Sequence, residues 1–579
     1  MIYSKFYQNE IMQKNNNPQI LISKLIKSII LMLLLSVSVL INKQKFRINE
    51  IIRNNFFIID SNNLKSVKSH IYGFCISKKG ILTDNYYKNL DYNEEPEPTG
   101  TYVMIRKNGS EVIINQDYNG GFGLYFYENK QYNYFSLSNS FLLLVEHLSK
   151  NDMPMTLNRE FADNFITTPF YQSLMRETMI KEIIFLPSNA LIKINIQKNK
   201  IQINYIDYQE RTVPFESEEG IKLIDKWVDK WGYIFRSLQK ANNNILMELS
   251  GGFDTRIILS ILLSSGINLN NISIHSKTYK SYFEDLEIAT NICSKFKIKL
   301  NEINIDNDST IFNIEDTLIS SMYAKLGFHN WFSLLGKFFK KPRFLISGYG
   351  GEIIRGYPME PIGKYINDLL LPKEKINPLL KKYYNSSLQV LNRSIQLVIK
   401  KWNFINDYEI STLLYLSGRN RNHFGRLSVE NYISNIFTIS PSIDPDILKI
   451  KYNINERTQH DLVSFIYVRF AHDLIYFPFQ KNRTLNVQSI IKAEKINNEI
   501  EPYRIKSDYN QNFYTDSFRK LPVANYSTKK NIDDYLEKIF KTHEFVHNFK
   551  RLYDFNIYKS LLKKKSMILT IEKISENLK

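Results

Sequence analysis

The stretch Asn244–Gly266, which reads NILMELSGGFDTRIILSILLSSG, sets three kinds of local sequence side by side. Apolar residues over Asn244–Leu249 predict a buried strand, and the apolar run over Arg256–Ser265 predicts a helix. Ser250–Thr255 lies between them and contains two adjacent glycines, which let the backbone approach a ligand closely. Because the first turn of a helix directs unpaired N–H groups and the positive end of its dipole outward, the stretch predicts an anion-binding turn.

The polar residues of this turn indicate which anion it binds. Ser250 supplies a hydroxyl group. Asp254 stands at the helix start, where its charge would repel a phosphate, so its predicted role is to hold a magnesium ion that bridges phosphate oxygens. No Gly-Lys-Ser/Thr follows, which excludes a Walker-type loop. Ser-Gly-Gly-x-Asp-Thr is instead the pattern of a pyrophosphate-binding loop, the PP-loop; the alternative is an ordinary strand-to-helix turn capped by Asp254.

Short β-rich runs fill the chain before this stretch. Between residues 55 and 208, runs such as HIYGFCI and TYVMIRK are dense in β-branched and aromatic residues and are broken by Gly, Asn and Asp, which predicts hairpins. A linker covers Gln209–Glu219. Beyond the linker, strands alternate with helical periods, as is typical of a parallel α/β sheet, and after about Lys364 the spacing is mostly helical.

We therefore predict an α/β protein with four parts. They are an N-terminal tail at 1–54, a β-rich domain at 55–208, an α/β domain at 220–500 and a basic helical extension at 501–579. The length of 579 residues supports this division, because one hydrophobic core rarely organises so long a chain.

The composition limits the classes of partner. An excess of Lys and Arg (76) over Asp and Glu (58) gives a net charge of +18, a balance that can indicate nucleic-acid binding. The charge is spread along the chain and no aromatic and basic recognition pattern accompanies it, so we expect no nucleic-acid partner. Cys75 and Cys293 are far apart and lack metal-ligand spacing, which excludes a disulfide framework and a structural zinc site.

Residues 25–41 are apolar, and 29–41 (IILMLLLSVSVLI) carry no charge. A membrane-spanning helix needs about 20 apolar residues, and a run of 10–14 is more often a core helix or part of a signal peptide. Lys43, Lys45 and Arg47 follow instead of a small-residue cleavage site, which disfavours a cleaved signal. We expect a cytoplasmic protein and leave open a weak membrane association through residues 25–41.

Several short motifs occur in a characteristic order. Gly100–Val103, Asp117–Gly120 and Ser138–Ser140 precede the PP-loop, and Ser347–Glu352 (SGYGGE) and Pro441–Asp444 follow it. In this order they resemble the asparagine synthetase superfamily, with the first three similar to its glutaminase domain and SGYGGE similar to its second signature loop. The resemblance implies an N-terminal β-rich, Ntn-hydrolase-like (αββα) domain followed by a PP-loop α/β synthetase domain with a helical C-terminal part.

The chain departs from that family in two places. Family members that hydrolyse glutamine expose an N-terminal cysteine, whereas Met1 is followed here by Ile2. Cys75 lies too close to Gly100 to leave room for the family's glutamine-binding stretch, so we expect a buried strand cysteine and a glutaminase-like domain without activity. In the second loop the family's metal-binding aspartate is missing, and Glu352 is the candidate to replace it.

The resemblance implies an ATP-dependent, AMP-forming carbon–nitrogen ligase. A substrate carboxylate, from an aspartate-like amino acid or a sugar acid, attacks the α-phosphorus of ATP and releases pyrophosphate. An amine or ammonia then converts the acyl-adenylate to an amide, and the ammonia could come from a separate protein. ATP and Mg²⁺ are the implied cofactors.

The same resemblance assigns the site residues. The implied catalytic residues are Asp254, Tyr349, Glu352 and Lys481, with Arg483 as the alternative to Lys481 as the cation for pyrophosphate. The implied metal ligands are Asp254 and Glu352. The implied nucleotide-binding residues are Leu249, Ser250, Gly251, Gly252, Asp254, Thr255, Ser276, Ser347 and Gly348.

Tyr349 stands where asparagine synthetases carry Glu. β-Lactam synthetase, a relative with a silenced glutaminase domain, carries Tyr in a similar loop and uses an amine of its own substrate. Tyr349 is therefore a candidate to take a proton from an organic amine, on condition that its surroundings lower its pKa from about 10; the alternative is a structural tyrosine. A nucleic-acid-modifying PP-loop enzyme and a non-catalytic nucleotide-binding protein stay open as other functions.

Overall fold

The protein is represented by a computed structural model, which describes residues 55–77, 80–83, 99–158, 161, 177–206, 213–241, 244–277, 282–301, 309–311, 323–324, 337–339, 342–356, 361, 363–364, 393, 407–451 and 460–505. The predictions for the tail at 1–54, its apolar run at 25–41 and the extension from residue 506 onward lie outside the described residues. Within the described ranges, no helix combines the length and apolar character needed to cross a membrane.

Two antiparallel sheets form the first part of the molecule. The smaller sheet has the strand order β1-β7-β6-β8 and the larger β10-β9-β5-β4-β2-β3. The strands are β1 (Ile58–Asp60), β2 (His70–Ser77), β3 (Gly80–Thr83), β4 (Gly100–Asn108), β5 (Glu111–Gln116), β6 (Leu124–Asn129), β7 (Tyr134–Ser138), β8 (Ile183–Leu186), β9 (Ala190–Asn195) and β10 (Lys200–Tyr205). All neighbouring pairs are antiparallel, which confirms the hairpin prediction for this region.

One apolar core joins the two antiparallel sheets. Val103, Ile105 and Ile114 of the larger sheet belong to the same cluster as Tyr125 and Leu137 of the smaller one. Because successive side chains of a strand point to opposite faces, the residues between them line the outer face of the larger sheet. That outer face carries a smaller buried cluster of Ile71, Cys75, Leu82, Tyr102 and Met104. The helix that follows β7, α1 (Phe141–Lys150), is capped by the Ser140 hydroxyl.

A four-stranded sheet forms the core of the second part, with the order β12-β11-β15-β16 and every pair parallel. Its strands are β11 (Asn244–Glu248), β12 (Ser273–His275), β15 (Arg343–Ile346) and β16 (Ile436–Ile439); the short β13 (Ser309–Ile311) and β14 (Lys337–Phe339) pair separately. The described helices are α2 (Glu218–Lys240), α3 (Phe253–Ser264), α4 (Phe283–Lys295), α5 (Gly351–Ile354), α6 (Asp407–Leu414), α7 (Arg426–Ile433), α8 (Pro445–Lys451), α9 (Asp461–Phe470) and α10 (Val487–Asn498). The predicted change from antiparallel hairpins to a parallel α/β sheet is confirmed.

The long helix α2 fastens this sheet to the chain that follows it. Ser217 caps its first turn, and Trp227 and Trp231, four residues apart, bury one face. The two indole N–H groups donate to Pro441 O at 2.9 Å and to Asp444 Oδ2 at 3.0 Å. The predicted proline-to-aspartate element is therefore a packing and hydrogen-bonding partner of α2.

A π-helix at Tyr415–Gly425 connects α6 to α7 and contacts the first part of the molecule. Arg421 and Arg426 emerge from this region and are almost fully buried. Arg421 Nε donates to Gly120 O at 2.8 Å, and Arg426 Nη2 donates to Tyr125 Oη at 2.7 Å. Two charged side chains thus hold the antiparallel and parallel parts together.

Candidate functional site

The carboxyl ends of the four parallel strands converge at one edge of the sheet. Leu249, Ser276, Ser347 and Ser440 follow β11, β12, β15 and β16 directly. The chain runs from β11 to β12 on one side of β11 and later returns as β15 on its other side. Ligands of open α/β sheets bind outside the carboxyl ends where the strand order reverses in this way. The position of the PP-loop after β11 therefore matches a ligand site.

Hydrogen bonds within the PP-loop fix its shape. The Ser250 N–H donates to Thr255 Oγ1 at 3.2 Å, and the two hydroxyl oxygens lie 3.1 Å apart. The Gly252 N–H donates to Ser250 Oγ at 3.2 Å. The Gly251 N–H is also used, because it donates to Asp285 Oδ1 at 2.7 Å. Ser250 and Thr255 therefore shape the loop, and Gly251 is held by a protein carboxylate instead of presenting its amide to a ligand.

Helix α3 begins at Phe253, three residues earlier than the sequence predicted. Asp254 and Thr255 accordingly belong to its first turn. Gly252 is the N-cap residue and provides no side-chain hydrogen bond to the helix. Since the first N–H groups of a helix need partners from outside it, an N-terminus without a side-chain cap is suited to an anion.

The second signature loop, Ser347–Gly351, lies directly on this helix start. A Cβ atom on Gly351 would come within 2.6 Å of Asp254 Cβ, and one on Gly348 within 3.1 Å of the Thr255 nitrogen. Gly350 has a φ of +83°, which strongly favours glycine. The glycines of SGYGG therefore permit contact between the two loops.

A third segment, Phe477–Arg483, covers the other side of the PP-loop. The Gln480 N–H donates to Gly251 O at 3.0 Å, and its side-chain amide donates to Asp285 Oδ2 at 2.9 Å. Arg256 is fully buried and donates to the carbonyls of Phe477 and Pro478. Burial lowers the pKa of Arg256 to about 10, and the nearby charge of Arg483 adds to that decrease.

The sequence analysis placed a cation for pyrophosphate in this segment. Lys481 is exposed, has a φ of +63°, and donates its backbone N–H to Glu284 Oε1 at 2.8 Å. The Arg483 guanidinium instead lies 5.3 Å from the centre of the Phe253 ring, at the first residue of α3. Of the two candidates, Arg483 is the one whose described contacts bring its charge to the loop.

Asp254, the predicted magnesium ligand, forms a two-pronged ion pair. Arg355 Nε lies 2.6 Å from Asp254 Oδ1 and Arg355 Nη2 lies 3.1 Å from Oδ2. Burial by itself would lower the pKa of Arg355, but the Asp254 and Glu352 carboxylates outweigh it and raise that pKa.

Glu352, the other predicted metal ligand, lies close to this pair. Its Oε1 accepts hydrogen bonds from Tyr415 Oη at 2.6 Å and Asn420 Nδ2 at 3.2 Å. Burial and the charge of Asp254 raise the pKa of Glu352. Both proposed carboxylates are thus engaged by protein groups.

These contacts test the fit of a magnesium ion. Both Asp254 oxygens face a guanidinium, and one Glu352 oxygen has two donors. Among the described residues, no three His, Cys, Asp or Glu side chains come together as a metal-binding group. Magnesium prefers several free oxygen ligands. The arrangement does not fit the metal site that the sequence predicted.

Tyr349 does not meet the condition set for a proton acceptor. It is buried and stacks on Phe424 with ring centres 5.7 Å apart. Burial raises the pKa of its hydroxyl, and Asp117 and Glu352 add to the increase, although the Thr101 and Ser428 hydroxyls oppose it. The expectation of a lowered pKa is therefore wrong, and the packing favours the structural alternative.

The remaining predicted nucleotide-binding residues line the sheet edge. Leu249 is buried and its N–H donates to His275 O at 2.8 Å. The Ser347 hydroxyl accepts from the Tyr349 N–H at 3.3 Å. Ser276 is 3% exposed, and its hydroxyl has no hydrogen-bond partner within the described part of the chain. A buried hydroxyl without a partner is uncommon, so Ser276 is the predicted residue best placed to gain one from a ligand.

No protein-family model matches this chain, and no curated protein matches it. The likeness to asparagine synthetases therefore rests on the motifs quoted from the sequence. The function has to be argued from the geometry of the PP-loop and of the residues around it.

Proposed function

We propose that the protein is an ATP-dependent ligase that activates a carboxylate by adenylation and joins it to an amine or ammonia. The observation that carries the proposal is the start of α3. A Ser-Gly-Gly turn leads there from the carboxyl end of a parallel strand into a helix without a side-chain cap. That combination is suited to phosphate groups.

Residues around the loop divide the nucleotide between them in this proposal. The first turn of α3 and the Ser250 and Thr255 hydroxyls face the β- and γ-phosphates. Leu249, Ser276, Ser347 and Gly348 border the adenosine. Gly251 and Gly252 contribute space, because the Gly251 N–H is already bonded to Asp285.

The proposed reaction has two steps. A carboxylate oxygen forms a bond to the α-phosphorus while the bond from that phosphorus to the oxygen bridging to the β-phosphorus breaks, and pyrophosphate leaves with the electron pair. The amine nitrogen then attacks the acyl carbon, AMP leaves, and the nitrogen loses a proton. The protein supports both steps by positioning and by stabilising the charge of the leaving groups.

The nitrogen is proposed to come from an amine or from ammonia and not from glutamine hydrolysed by this chain. Cys75 lies inside strand β2 and is fully buried. It belongs to the apolar cluster on the outer face of the larger sheet. A nucleophilic cysteine needs access to its substrate and an environment that favours the thiolate, and this position offers neither.

The experiment is exchange of labelled pyrophosphate into ATP by the full chain, run with a panel of amino acids and sugar acids. Acid-dependent exchange is the expected result. Amide formation is then compared with ammonium, organic amines and glutamine as donors. We expect no glutamate from glutamine, and the Cys75→Ser variant should behave like the unaltered protein in exchange.

Two outcomes would contradict the proposal. ATP bound without exchange for any acid would support the non-catalytic alternative. Exchange stimulated by nucleic acid but not by small acids would support the nucleic-acid-modifying alternative.

A further inference from the structure

The ion pair between Arg355 and Asp254 joins the two signature loops. Its two short contacts, 2.6 Å and 3.1 Å, use both oxygens of the carboxylate and the planar fork of the guanidinium. The partners are only partly buried, with 24% of the Arg355 and 28% of the Asp254 side chain exposed. A ligand can therefore reach the pair.

The backbone around the pair holds Arg355 near the start of α3. Arg355 follows the four-residue helix α5, whose first residue, Gly351, approaches Asp254 too closely to admit a side chain. The Arg355 guanidinium lies 5.8 Å from the centre of the Phe253 ring. Arg483 lies 5.3 Å from the same ring. Two guanidinium groups thus flank the first residue of the helix that follows the PP-loop.

The balance of charge at this place favours exchange of partners. Asp254 and Glu352 place two carboxylates beside the single charge of Arg355, and the charge of Asp254 raises the pKa of Glu352. A pyrophosphate carries more negative charge than Asp254 and presents several oxygens to the guanidinium fork. It can therefore replace Asp254 as the partner of Arg355, provided that the carboxylate can turn toward solvent.

We propose that Arg355 and Arg483 form the cationic clamp for the departing pyrophosphate, and that Asp254 holds Arg355 in position until the phosphate binds. This inference rests on the proposed function and names the residues that stabilise its leaving group. In this arrangement Asp254 competes with pyrophosphate for Arg355. A metal ligand at the same position would instead assist the binding of pyrophosphate.

The competing roles of Asp254 give opposite signs in one experiment. Binding of inorganic pyrophosphate to the full chain is measured by calorimetry with EDTA and with excess Mg²⁺. Arg355→Met is expected to weaken binding about tenfold or more in EDTA, because it removes a charge-assisted hydrogen-bonding group. Asp254→Asn, which keeps the shape of the side chain, is expected to leave binding unchanged or to tighten it.

Arg393→Met is the matched control, because Arg393 is also paired with a carboxylate, that of Glu177, at 3.4 Å in another part of the molecule. It should bind pyrophosphate as the unaltered chain does. If Arg355→Met is poorly folded by circular dichroism, Asp254→Asn alone decides the question.

Weaker binding by Asp254→Asn, or tighter Mg²⁺-dependent binding by Arg355→Met, would overturn the proposal in favour of a metal-binding Asp254. The measurement needs no carboxylate substrate, so it is independent of whether acid-dependent exchange is observed. Loss of the ligase proposal and loss of the clamp proposal are therefore separate results.

Discussion

The molecule contains two glycine-rich turns that differ in what satisfies their polar groups. In the turn Asp117–Gly123 of the antiparallel part, the Asp117 carboxylate accepts from Tyr102 N and Gly120 N, and Arg421 takes the Gly120 carbonyl. In the PP-loop, by contrast, α3 starts at Gly252 without a side-chain cap. Glycine content alone therefore does not identify a ligand site. The distinguishing feature is whether protein groups already occupy the donors and acceptors.

The largest effect is expected from a methyl group in the PP-loop. A Cβ on Gly251 would meet Ile288 Cδ1 at 2.8 Å and Asp285 Oδ1 at 3.2 Å, so Gly251→Ala should displace the loop. A displacement of about 1 Å can lower the rate about 100-fold. We expect that loss in pyrophosphate exchange, whereas Gly363→Ala, where nothing lies within 4 Å, should have no effect. Equal rates for both variants would remove the loop from the active site.

The turn in the antiparallel part should instead respond in stability. Arg426 donates to the carbonyl of Phe122 and to Tyr125 Oη, and Arg426→Met would leave both groups without that donor. Loss of such charge-assisted bonds should lower the free energy of unfolding by about 3 kcal/mol. Urea denaturation tests this, with exposed Arg504→Met as the control. An unchanged unfolding midpoint would show that the interface does not depend on the buried charge.

Asp117 provides a test by pH. Burial raises its pKa from 3.8 to about 6 despite the hydrogen bonds from Tyr102 and Gly120 and the charge of Arg421. The folded state therefore holds a proton that the unfolded state loses between about pH 4 and 6. Stability contributed by this group should fall as the pH rises through that window, by on the order of 2–3 kcal/mol, and then stay constant. Denaturation at pH 4 to 7 should show a smaller decrease for Asp117→Asn, and parallel curves for the two proteins would contradict the assignment.

The smallest effect is expected from Tyr349→Phe. The Tyr349 hydroxyl makes no hydrogen bond within the described residues, so its removal should change the free energy of unfolding by less than about 1 kcal/mol. Because burial raises its pKa, the hydroxyl is poorly suited to accept a proton at neutral pH. Adenylation and amide formation should change by the same small factor. A selective loss of amide formation would restore Tyr349 as a participant in the second step.

The sequence predicted the features that depend on neighbouring residues. The alternation of strands and helices and the strand–turn–helix unit around Ser250 follow from local spacing and from glycine, and the structure has both. Arg355 was missed because its partner Asp254 is 101 residues away, and an isolated arginine after a loop resembles an ordinary surface residue. Its position three residues after Glu352 was the available signal, since it adds a cation where the related families carry acidic residues.

The same limit explains the other errors at the site. Asp285 and Gln480 contact Gly251 from segments that lie 195 residues apart, so no local pattern could assign them to the PP-loop. The direction of the pKa shift of Tyr349 depends on burial between the two parts of the molecule. Such burial is a property of the assembled fold and cannot be read from the Ser-Gly-Tyr-Gly motif.

The π-helix at Tyr415–Gly425 places a limit on chain length. Tyr415 and Asn420 both donate to Glu352 although they are five residues apart. In an α-helix of 3.6 residues per turn, such positions point about 140° away from each other, whereas i→i+5 bonding brings them to one side. Removing one residue from this segment would restore α-helical spacing and rotate Arg421 and Arg426 about 100° relative to Tyr415. Homologous chains should therefore vary in the identity of its exposed residues more readily than in their number.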